Sequence, residues 1–70
     1  MNTTKIAQRL RDLRGTSTQQ SIAKALSLSQ STYAMYETGQ RIPSDENKQK
    51  IAILYNTTVQ DIFFNPEDHE

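Results

Sequence analysis

The sequence predicts an all-α fold: five short helices in one compact domain. Three observations carry this prediction. Apolar residues recur at steps of three and four, as in Ile6, Leu10 and Leu13, which is the spacing of one helix face. Serine or threonine precedes the apolar segments, at Thr3 or Thr4, Thr18, Ser29, Ser44 and Thr58, and Gly15, Gly39 and Asn56 follow them; residues of these types start and stop helices. In the central stretch Gln19 to Thr38, QQSIAKALSLSQSTYAMYET, two helical patterns follow one another with room only for a turn between them.

Taken in order, the first helix starts after Thr3 or Thr4 and runs to about Arg14, with Ile6, Leu10 and Leu13 on its inner face. Gly15 ends it, and GTST is a turn. Thr18 caps the second helix, whose apolar face is Ile22, Ala23 and Leu26. Ser29 caps the third, turning Tyr33 and Tyr36 inward and Gln30, Ser31, Ala34 and Met35 outward. Two short helices joined by three or four residues pack only at a steep angle, which leaves the outer face of the second standing proud: a helix-turn-helix. Gly39 stops the third helix, and Pro43 restricts Ile42 to extended geometry in the loop QRIP. Ser44 caps the fourth helix, with Asp45 and Glu46 suited to its positive end and Ile51, Ala52, Leu54 and Tyr55 on its apolar face. Asn56 suits a left-handed helix end, and Thr58 with Asp61 reads as a capping box for a fifth helix that turns Val59, Ile62 and Phe63 inward. Ile53 and Phe64 fall off their stripes. The domain is thus expected over residues 1–64, and the acidic tail 65–70, NPEDHE, has nothing to pack and is expected to be disordered.

Seventy residues bury a modest core. Cysteine is absent and the one histidine, His69, lies in the tail, which argues against disulfides and against a structural metal. Stability must come from helix packing and from association with a second copy. The N-terminal MNTTKIAQRL lacks the apolar core of a signal peptide and no run is long enough to span a membrane, so a soluble, cytoplasmic protein is expected. Net charge is zero, but it is unevenly placed. Residues 1–50 carry eight Lys or Arg against four carboxylates, a net +4; residues 51–70 carry four carboxylates and neither Lys nor Arg, a net −4. A basic body with an acidic end permits a nucleic-acid partner without requiring one. Catalysis has no candidate residues: no nucleophile has a neighbouring base, Asp45 and Glu46 point apart as i and i+1 on a helix, and no glycine-rich phosphate loop is present. No cofactor or small-molecule ligand is evident.

The segments TQQSIAKAL, LSQSTYAMYETGQRIPS and KIAILYNTTVQDIFF, in that order, resemble the DNA-binding domain of the Xre family, which includes the lambdoid phage repressors and Cro. The resemblance runs from about Lys5 to Phe64. It departs from the family at Ser27, where glycine is usual in a left-handed turn, and in the turn before Thr18, which is shorter by about two residues. It departs again at Asp45, Lys48 and Gln49, where apolar residues are usual, so the first turn of the fourth helix is expected to pack loosely.

The resemblance implies sequence-specific binding of double-stranded DNA by the third helix. Gln30 suits a bidentate contact to adenine, Ser31 bonds several base edges, and Ala34 and Met35 suit thymine methyls; Met35 reads equally as a partly buried space-filler. Thr18 and Gln19, at the start of the second helix, and Thr38, Gln40 and Arg41, in and before the following loop, are expected at backbone phosphates. Arg14 and Glu37 match a salt bridge beneath the reading helix, with two exposed, unpaired charges as the alternative. One helix covers few base pairs, so a homodimer on an inverted repeat is expected, with Ile53, Phe63 and Phe64 as exposed apolar contacts. The rival reading is a protein-interaction module, an antitoxin or anti-repressor partner on the same fold.

Overall fold

The structure, a computed structural model, describes residues 2–68. They form α1 (Thr3–Arg14), α2 (Gln19–Ala25), α3 (Gln30–Thr38), α4 (Asp45–Leu54) and α5 (Val59–Phe63), followed by one turn of 3-10 helix at Pro66–Asp68. There is no strand among the described residues. The radius of gyration, 11.0 Å, equals the roughly 11 Å of a folded chain of this length.

Each helix starts on a side-chain oxygen that accepts the backbone N–H three residues on, which satisfies one of the four orphan donors at a helix start. Thr18, Ser29, Ser44 and Thr58 do this for α2 to α5. For α1 the cap is Asn2, not Thr3 or Thr4, which are helical: the amide oxygen of Asn2 receives the Lys5 N–H at 3.1 Å. At the C-termini of α2, α3 and α4 one device recurs. A left-handed residue, Ser27 (φ 60), Gly39 (φ 78) or Asn56 (φ 55), lets the next N–H return to a carbonyl five residues back, at 2.8 to 3.0 Å. The left-handed turn expected at Ser27 is present. Gly39 has a second constraint: a Cβ there would stand 3.3 Å from the Thr3 carbonyl oxygen at the start of α1.

The core is drawn from every helix: Ile6 and Leu10 of α1, Ile22 and Ala23 of α2 with Leu26 behind it, Tyr33 and Tyr36 of α3, Ile51 and Ala52 of α4, Ile62 and Phe63 of α5. Several expectations need correcting. Leu13 lies on the α1 stripe but is 39% exposed, at an open rim that it shares with Thr57, Asp61 and Ile62. Leu54 is equally exposed, at the edge of a groove with Ala25 and Leu26. Phe63, named as an exposed dimer contact, is 1% exposed and belongs to the core.

The first turn of α4 is open at Asp45 and Glu46, and Gln49 beyond it is exposed too, but it is closed at Lys48. Lys48 is buried, with its ammonium 5.8 Å from the Phe63 ring centre and 4.9 Å from that of Phe64. Its four-carbon stem fills the space an apolar residue would take, and the charge rests against ring faces. Asn47 adds a bond from Nδ2 to the Tyr36 hydroxyl at 3.2 Å. The tail also departs from expectation over residues 65–68. Arg9 donates both to the Ile62 carbonyl, at 2.8 Å, and to the two carboxylate oxygens of Asp68, while Lys5 reaches the Glu67 carbonyl at 3.2 Å. Polar bonds to α1 hold a segment that has no apolar anchor. His69 and Glu70, the rest of the tail expected to be disordered, lie outside the described residues.

Candidate nucleic-acid interface

Burial of Tyr33 and Tyr36 fixes which way α3 faces. With these two turned into the core, Gln30 and Ser31 are exposed and Ala34 and Met35 half-exposed on the other side. These four, together with Thr38, recur at steps of one and three and so form one strip of the helix surface. Ser29 keeps the start of the strip rigid, accepting the Thr32 N–H at 3.1 Å and donating to the Thr32 hydroxyl at 2.8 Å. The strip offers an amide and a hydroxyl near the helix N-terminus and two apolar groups one turn later. That is a set able to meet base edges and thymine methyls in a major groove.

The flanks are less uniform. Thr18 is committed as the α2 cap, taking the Ser21 N–H at 3.0 Å. Thr38 donates its hydroxyl to the Met35 carbonyl at 3.2 Å. Gln40 and Arg41 are exposed on the loop after α3, and the Arg41 side chain makes no bond to the rest of the described chain. Gln19 is the surprise. Its Nε2 turns toward the protein and donates to Glu37 Oε1 at 3.0 Å, so this donor is engaged within the fold.

Beneath the strip lies a polar cluster. Glu37, in the last turn of α3, is 1% exposed. Arg14 grips both its oxygens, Nε to Oε2 at 2.7 Å and Nη2 to Oε1 at 3.0 Å, and also donates from Nη1 to the Ser17 carbonyl at 2.7 Å. Arg11 donates to the Glu37 backbone carbonyl, one of the orphan acceptors at the end of α3. Burial pushes the Glu37 carboxyl pKa up, but the hydrogen bonds from Arg14 and then Gln19 outweigh it, and the pKa lies below its ordinary value. The Arg14 guanidinium is raised in turn by its bond to Glu37. Burial, and next its bond to Tyr55, raise the Tyr33 phenol strongly; the two hydroxyls meet at 2.6 Å, which links α3 to the end of α4. No buried side-chain nitrogen or oxygen among the described residues lacks a partner.

Arg14 and Glu37, paired by type in the sequence, therefore do meet. Arg11 was missed, although its place three residues before Arg14 puts both on one face of α1, a usable signal. The Tyr33–Tyr55 pair had no signal, since tyrosine on an apolar stripe reads as core. The proposed dimer contacts are scattered: Ile53, 79% exposed, lines the groove with Ala25, Leu26, Ser27, Lys50 and Leu54, whereas Phe64 lies beside Lys48.

A proud helix standing on a rigid polar base, with a second helix leading into it, defines the class as a helix-turn-helix DNA-binding domain. The profile of the helix-turn-helix family matches residues 8–62, and the chain belongs to this family, in its Xre and Cro-like branch. It is a DNA-binding regulator of the Xre type. Comparison with curated proteins and with solved structures gives no match. Among the described residues no helix is long and apolar enough to cross a membrane, and no cluster of side chains suited to a metal ion occurs.

Proposed function

We propose that the chain is a cytoplasmic transcriptional repressor that binds an inverted-repeat operator as a homodimer. The observation that carries this reading is the strip of α3: Gln30, Ser31, Ala34 and Met35 share the face left outward when Tyr33 and Tyr36 are buried. Gln30 and Ser31 read base edges, and Ala34 and Met35 meet thymine methyls. Thr18, Thr38, Gln40 and Arg41 hold the backbone on either flank, Arg41 as the cation. Dimerisation supplies the second half-site, about 34 Å along the duplex. Phe64, 53% exposed, is its apolar contact, and Ile53 is a second candidate on a different surface.

Selection of bound duplexes from a random pool tests this proposal. The expected result is an inverted repeat whose affinity falls steeply with salt, by about 0.9 in log–log slope for each phosphate neutralised. No enrichment, with affinity for a protein partner that ignores salt, would overturn it. The half-apolar strip at Ala34 and Met35 and the zero net charge then favour the protein-interaction module.

A further inference from the structure

Helices α2 and α3 are joined by the chain at one end only, through residues 26–29. A short connection of this kind makes the angle between two helices steep but does not by itself fix its value. At the opposite end, Gln19, the first residue of α2, bonds Glu37 in the last turn of α3 at 3.0 Å. The acceptor is nearly immobile: buried, held on both oxygens by Arg14, and with its backbone carbonyl taken by Arg11. A hydrogen bond to an ionised carboxylate is about twice as strong as one between neutral groups. The two helices are therefore closed at both ends, by the turn and by this bond.

We infer that Gln19 is a positioning residue for base reading. Acting through Glu37, it fixes the start of α2 relative to the strip on α3, and so sets where Gln30 and Ser31 stand over the base edges. This rests on the reading of α3 given above. A residue that only grips a phosphate carries no sequence information, because phosphates are alike under every base. A residue that sets the angle of the reading helix does carry it, because hydrogen bonds to base edges weaken steeply with distance and angle. Loss of Gln19 thus changes which sequences are preferred, not only how tightly all are held.

Two measurements test this inference. In the free protein, the side-chain amide protons of Gln19 should shift together with the Glu37 carboxyl carbon as acid protonates that group; Gln19 protons that do not follow it would overturn the bond and the inference with it. Against a panel of every single-base change in the selected operator, Gln19→Ala should compress the preference at base pairs under α3 by about fivefold or more. Gln19→Lys, which keeps a donor for Glu37, should restore it. A uniform loss across the panel with the salt slope reduced by about 0.9 would make Gln19 a plain phosphate contact, and an unchanged panel would deny it any role; either overturns the inference. If the Gln19 protons follow Glu37 but the unmodified protein prefers no sequence, the DNA reading fails, and the positioning role fails with it, while the bond between the helices stands.

Discussion

A left-handed residue closes α2, α3 and α4 in turn, and only α3 uses glycine for it. Asparagine is one of the few residues besides glycine that enters that region readily, whereas Ser27 pays a steric penalty of about 1 kcal/mol. Glycine would remove the penalty but widen the unfolded ensemble, which offsets roughly half. Ser27→Gly should therefore raise the melting temperature by about 2–4 °C; a thermal scan showing a fall would mean that the serine side chain stabilises the turn. This strain was legible through the resemblance, since serine stands where the family usually has glycine in a left-handed turn. Lys48 was not legible. A lysine among apolar positions reads as a fault in the helix, and only the packed structure reveals that its stem and charge both find aromatic faces.

Among the elements, α3 depends most on its neighbours, since Glu37 joins it to α1 and α2. Removing one partner of a buried ion pair leaves an uncompensated charge and costs about 3 kcal/mol, a large part of the roughly 3–10 kcal/mol expected for a chain of this length. The pH dependence follows from the direction of the shift. Because the folded Glu37 carboxyl lies below its ordinary value, its contribution is complete above the unfolded pKa of about 4.3. It is lost as pH falls from there through the lowered folded pKa. The stability gap between the unmodified protein and Glu37→Gln, taken from urea melts, should be wide at pH 7, start to narrow near about pH 4 and close only below the lowered folded pKa. A gap of the same size at pH 3 and pH 7 would contradict this. The pairing of Arg14 with Glu37 was readable from residue type and resemblance. The inward turn of Gln19 was not, because an amide at a helix start serves a phosphate and a buried carboxylate equally well.

On the scale of the whole molecule, charge and apolar surface are both distributed with little to spare. The four carboxylates of residues 51–70 balance the +4 of the rest, and one of them, Asp68, is bound to Arg9 on α1. That contact escaped the sequence reading because a polar tail offers no periodicity to follow. The five helices were legible because every start carries a side-chain cap and three ends carry a left-handed residue. The individual dimer contacts were less so: Phe63 and Phe64 are neighbours of one type, and only packing decides which of them the core takes. Everything in the functional account rests on α3 reading bases through its N-terminal side chains. Gln30→Ala, measured by binding curves against every single-base change in the selected operator, tests that most directly. Discrimination of about 1–3 kcal/mol should vanish at one base pair in each half-site, with the other positions unchanged. A uniform loss at all positions would contradict it and would move the reading face elsewhere.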